Sequence, residues 1–127
     1  MSADDAPSLL TPAEVARFLM GLSRRLDELV AEYQTLGYTA ALARRDAEVA
    51  EARAYLGSGG EEGRVTVDER KRRAVLASSE QRFAADVAER RVHACREAIR
   101  AVQFRIDVGR TLSATTRAEM RDLGGQG

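Results

Sequence analysis

Apolar residues recur through the first half of the chain at alternating steps of four and three. They are Val15, Leu19, Leu22, Leu26, Leu29, Tyr33, Leu36, Ala40, Ala43, Ala47, Ala50 and Ala54. A 3.5-residue period marks a helix that packs along its length against another helix. Thr11-Pro12-Ala13-Glu14 supplies the start. Thr11 caps the exposed amides, and Pro12 takes the first helical position, where its missing N–H costs nothing. The pattern predicts a helix over 12–56, about 66 Å long at 1.5 Å per residue.

Gly57-Ser58-Gly59-Gly60-Glu61-Glu62-Gly63 follows, and its glycines predict a flexible turn over 57–65. Thr66-Val67-Asp68-Glu69 is a second capping box. A second helix is expected over 67–108, with the seam Ala85, Ala88, Val92, Cys95, Ile99, Val102 and Ile106. The expected fold is therefore all-α: a long antiparallel, coiled-coil-like two-helix hairpin. A turn centred near residue 61 pairs positions whose numbers sum to about 122, so that Leu29 meets Val92, Leu22 meets Ile99 and Leu19 meets Val102. Toward the loop Ala47 faces Ala74 and Ala43 faces Ser78, a seam of methyl-sized groups that is either close-packed and thin or partly mobile. Gly109 and the run Arg110-Thr111-Leu112-Ser113 predict a loosening of the helix. Thr116-Arg117-Ala118-Glu119 then opens a short C-terminal helix over 113–123. Residues 1–10 and 124–127 are expected to be tails around a single domain spanning 11–123.

The second helix carries another apolar stripe, Leu76, Phe83, Val87, Ala94, Ala101 and Val108. Its centre lies roughly 125° around the helix from the hairpin seam, so a lone hairpin cannot cover both. These six residues are the expected interface of a homo-oligomer, with docking of the C-terminal segment onto them as the alternative.

Composition supports long helices over a thick globular core: 5% of residues are aromatic, Trp is absent and 31% are charged. Net charge is zero, yet residues 1–63 hold 6 basic and 11 acidic groups and residues 64–127 hold 14 and 9. Side by side, such halves complement each other, or the basic one offers a surface to an anionic partner. Lys71 is the single lysine among 20 cationic residues, a bias that a GC-rich genome produces without functional cause. The first ten residues lack a basic n-region and an apolar h-region, and no run approaches a membrane span. A protein of the cytoplasm, or of the host cytoplasm if viral, is expected, with no membrane association.

Little in the chain suggests catalysis. His93 and Cys95 are the sole residues of their kinds. They point about 160° apart on a helix, so they form no nucleophile–base pair, and they are too few to ligate a metal. The glycine turn lacks the Lys-Ser or Lys-Thr of a phosphate loop. No enzyme, no cofactor and no small-molecule substrate is expected. The basic run Arg70-Lys71-Arg72-Arg73 stands out instead, with Arg64 just before it and Arg53 and Tyr55 across the turn. Clustered cations beside an aromatic ring can hold single-stranded nucleic acid.

Around Glu51-Ala52-Arg53-Ala54-Tyr55-Leu56-Gly57-Ser58-Gly59 the chain resembles the UvsY-type recombination mediator proteins of phages. In those small helical proteins a segment with Ala-Arg and aromatic residues precedes a Gly/Ser turn. Asp68, Val75-Leu76 before Ser78, and the closing Gly109, Met120 and Arg121 fit the same order, so the resemblance covers roughly residues 45–123. It implies an oligomer that binds single-stranded DNA coated by a single-strand-binding protein and helps a RecA-like recombinase load. Arg53, Arg64, Arg70, Lys71, Arg72 and Arg73 then neutralise phosphates, and Tyr55 stacks on a base. Two other readings share the same seams. One is a scaffolding coiled-coil protein with protein partners only. The other is a secreted helical hairpin of the W-x-G kind, which Tyr55-Leu56-Gly57 resembles.

Overall fold

The computed structural model describes residues 10–58 and 65–124. Three helices account for them: α1 (Pro12–Gly57), α2 (Val67–Ala77) and α3 (Ser79–Gly124). The long helices α1 and α3 pack against each other, so the fold is an all-α helical hairpin. The expected tails, and Gly59 to Arg64 of the glycine-rich turn, lie outside the described residues.

Helices α1 and α2 begin where their caps dictate. The Thr11 hydroxyl accepts the Glu14 amide at 3.2 Å, and the Thr66 hydroxyl accepts the Glu69 amide at 3.2 Å. Every one of the twelve α1 seam positions is buried or half-buried, as is every seam position of α3 from Ala85 to Ile106. The 3.5-residue pattern thus identifies the packed stripe of both helices residue by residue.

Contacts group into two units, one joining Met1–Val30 with Ala98–Gly127 and the other made of Ala31–Glu97. In the first, Val15, Leu22, Leu29, Val102 and Ile106 form the core. Here the buried side chains are branched aliphatics, and each full burial contributes about 1.5–3 kcal/mol. In the second the core is smaller-grained: Ala40, Ala47, Ala74, Ala85, Ala88 and Cys95 are buried, and Ser78 is fully enclosed. The small residues near the loop are thus enclosed, and the seam they form is thin.

The expected helix boundaries in the second half need correction at two places. First, the expected helix over 67–108 is broken at Ser78. The Ser78 amide donates to the Ala74 carbonyl at 3.1 Å, and its hydroxyl donates to the same oxygen at 2.8 Å and to that of Val75 at 3.3 Å. A serine bonding back over one turn competes with the helical ladder, and Ser78 settles at φ −101°, ψ 14°. Its carbonyl still takes an i+4 partner, the Arg82 amide donating to Ser78 O at 3.0 Å. Second, there is no separate C-terminal helix over 113–123, because α3 continues unbroken to Gly124. Thr111, Thr115 and Thr116 donate their hydroxyls to the carbonyls of Asp107, Thr111 and Leu112 at 3.1, 3.0 and 2.8 Å. Thr116 is thus mid-helix and caps nothing.

Gly109 is a packing site and does not loosen the helix. It is buried, and a methyl placed on it would lie 2.6 Å from Leu19 Cδ2. This contact also corrects the register: Leu19 meets Gly109, seven residues beyond the expected Val102. Positions facing one another there sum to about 128, one heptad from the expected pairing. A slip of one heptad leaves both seams in phase, which is why the apolar pattern alone tolerates either register.

Candidate nucleic-acid interface

The candidate residues lie at the loop end of the second unit, on the last turns of α1 and on α2. An α-helix ends with carbonyls that lack intrahelical partners. In α1 the Tyr55 carbonyl receives two replacements: the Ser58 hydroxyl at 3.0 Å and the Arg70 guanidinium at 3.0 Å. The cation also complements the negative end of the helix dipole. The same guanidinium lies over the Tyr55 ring, with Cζ 4.5 Å from its centroid, within cation–π range. Arg70 is half-buried, and its Nε is enclosed without a hydrogen-bond partner. Arg70 and Tyr55 therefore occupy each other and bind α2 to the end of α1.

That arrangement divides the expected DNA-binding set. Arg70 is committed to α1 and is not an open phosphate ligand, and one face of Tyr55 is covered. Arg73 pairs with Glu69 one turn earlier at 3.2 Å. Lys71, Arg72 and Arg53 are exposed, and among the described residues no side-chain hydrogen bond or ion pair holds them. Arg53 borders a shallow depression with Arg45, Asp46, Val49, Ala50 and Gln81. Arg64 lies outside the described residues.

Two further Arg contacts join the helices of this unit. Arg44 of α1 forms an ion pair with Glu89 of α3. Arg96 donates to the Tyr33 hydroxyl at 3.0 Å and lies 5.8 Å from its ring centroid. That hydrogen bond, followed by the phenol's electrostatic attraction, raises the Arg96 pKa above its ordinary value. The expected complementarity of an acidic first half and a basic second half is thus not what these contacts use. Arg44–Glu89 runs in the opposite sense, and Arg70 and Arg96 reach tyrosines. Sequence reasoning saw Tyr33 only as a seam residue and Arg70 only as charge. The signal that could have found the Arg70 contact was an aromatic two residues before the end of one helix and an Arg in the first turn of the next.

The expected oligomer stripe is open in the single chain. Leu76 and Phe83 are 73% and 70% exposed, Ala94, Ala101 and Val108 are exposed, and Val87 is half-buried. Cys95 is buried and His93 exposed. Among the described residues no group of three His, Cys, Asp or Glu side chains is placed to hold a metal ion. No helix among them is long and apolar enough to cross a membrane. Comparison with protein-family models, with curated proteins and with solved structures finds no match to this chain.

Proposed function

We propose that this protein is a non-enzymatic mediator of recombination. It binds single-stranded DNA at the loop end of the hairpin and helps a RecA-like recombinase load onto strands coated by single-strand-binding protein. The observation that carries this reading is the exposure of Arg53, Lys71 and Arg72 on the helices flanking the loop, with no acidic partner among the described residues. The UvsY-type resemblance of residues 45–123 supplies the biological role. Backbone phosphates are the natural ligands of such cations, and the resulting affinity is salt-dependent and sequence-tolerant.

The test is fluorescence anisotropy of a labelled oligo(dT), titrated with the protein at several salt concentrations. Three neutralised phosphates correspond to a log–log salt slope of about −2, at roughly −0.7 per phosphate for single strands. Replacing Arg53, Lys71 and Arg72 with Ala should remove most of that slope. Absence of binding by the unaltered protein at low salt refutes the reading.

A scaffolding role with protein partners alone is the second reading, and the exposed Leu76 and Phe83 favour it. A contiguous apolar stripe on a soluble helix is ordinarily a contact surface. In that case the salt titration is flat, while Phe83→Glu abolishes assembly.

A further inference from the structure

Helix α2 is held to the rest of the protein by little. Of its residues Ala74 alone is buried, Arg70 is half-buried, and the remaining side chains are exposed. A segment with so few enclosed apolar groups opens locally at low free-energy cost. Its C-terminal end is Ser78, where the backbone leaves helical dihedrals for one residue while its amide and carbonyl keep their i−4 and i+4 partners. Among the described residues the polar contact from its other end to α1 is the Arg70 guanidinium, which stacks on the Tyr55 ring and donates to the Tyr55 carbonyl. Both halves of that tie have the chemistry of a nucleotide contact. An aromatic face that accepts a guanidinium also accepts a base, and a guanidinium matches a phosphate with two parallel hydrogen bonds. Neither half is free while the other holds it.

We propose that α2 is a latch, hinged at Ser78 and held shut by the Arg70–Tyr55 contact. A single-stranded nucleotide releases it by stacking on Tyr55 and drawing Arg70 onto its phosphate. The latch deepens the nucleic-acid reading above and rests on it for the identity of the releasing ligand. Lys71 and Arg72 make the first, exposed encounter; Tyr55 and Arg70 join when α2 lifts. The enclosed, unpartnered Arg70 Nε fits this role, since a phosphate supplies the acceptor that the closed state lacks.

The experiment places a thiol beneath the latch. In full-length Ala74→Cys protein, the rate at which a thiol reagent labels position 74 reports opening of α2, and buried Cys95 is the internal reference. Labelling at 74 should be at least ten-fold faster than at Cys95. Arg70→Lys should speed it several-fold further, because lysine keeps the charge but loses the planar stack and fork. Saturating oligo(dT) should speed it as well. Labelling at 74 as slow as at Cys95, and unmoved by Arg70→Lys, overturns the latch. Binding of oligo(dT) without acceleration at 74 overturns the release step. Absence of any oligo(dT) binding overturns the function proposed above, and the effect of Arg70→Lys then still decides whether the latch exists. Should the added thiol disturb the seam, hydrogen exchange over residues 67–77 decides the same point with Ala74 intact. Arg70→Lys should then speed exchange across α2, and unchanged exchange overturns the latch.

Discussion

Three glycines inside the long helices make opposite predictions for one substitution. Gly21 and Gly37 have no atom within 4 Å of the position a methyl would take. Changing either to Ala should stabilise the protein by about 0.5–1 kcal/mol, the ordinary cost of glycine in a helix interior. For a chain of this size that is a rise of about 2–5 °C in Tm. At Gly109 the same gain in propensity meets Leu19, with Cδ2 at 2.6 Å, Cγ at 3.4 Å and Phe18 Cδ1 at 3.9 Å from the added carbon. Leu19 must leave its rotamer or the helices must part, and overpacking of this kind costs about 1–3 kcal/mol. Gly109→Ala should therefore be net destabilising, by roughly 0.5–2 kcal/mol after its propensity gain. Thermal and urea unfolding of the single variants measures this directly. The decisive assay repeats Gly109→Ala in a Leu19→Ala background, where the methyl enters vacated space. There the step should change sign and stabilise by about 0.5–1 kcal/mol, a coupling that a double-mutant cycle isolates. If Gly109→Ala stabilises the otherwise unaltered protein as much as Gly37→Ala does, the close approach at Leu19 and the register built on it are refuted.

The small-residue seam should resist enlargement: Ala74→Leu is expected to destabilise by about 1–3 kcal/mol in urea unfolding, since Ala74 is 1% exposed. Truncation distinguishes core from stripe. Leu29→Ala should cost about 2–5 kcal/mol, whereas Leu76→Ala should stay within about 0.5 kcal/mol at concentrations where the protein is monomeric. If the stripe joins copies, Phe83→Glu should reduce the sedimentation coefficient at micromolar concentration without changing helicity; an unaltered sedimentation profile removes Phe83 from any self-association. The Arg44–Glu89 pair is solvent-exposed, so Glu89→Gln should lower stability by less than about 1 kcal/mol, and salt at about 1 M should erase the difference.

Much of the fold was legible in the order of residues because a heptad pattern is a local signal. Which side of α1 and α3 is packed follows from about 3.6 residues per turn and from apolar steps of four and three, whatever the partner. The starts at Pro12 and Val67 were equally local, each needing only a hydroxyl one residue before the first turn and a free amide inside it. The exposed second stripe followed from the same geometry. The site was legible as a list of cations and one tyrosine, and not as an arrangement.

What the tertiary structure alone decided is everything that depends on a residue distant in the chain. Two seams with the same period match equally well after a slip of one heptad, so the register is seen only in contacts between the helices, such as Leu19 over Gly109 and Arg96 on Tyr33. Gly109 and the threonines after it carry low helix propensity, yet α3 runs intact to Gly124, with Gly109 packed against Leu19. Ser78 leaves helical dihedrals at a point the apolar pattern passes through without a mark. Arg70 reads as one charge among four until α1 brings the Tyr55 ring and carbonyl beneath it. Local periodicity specifies faces; register, breaks and the partner of each charge are set by contacts between segments that the periodicity cannot see.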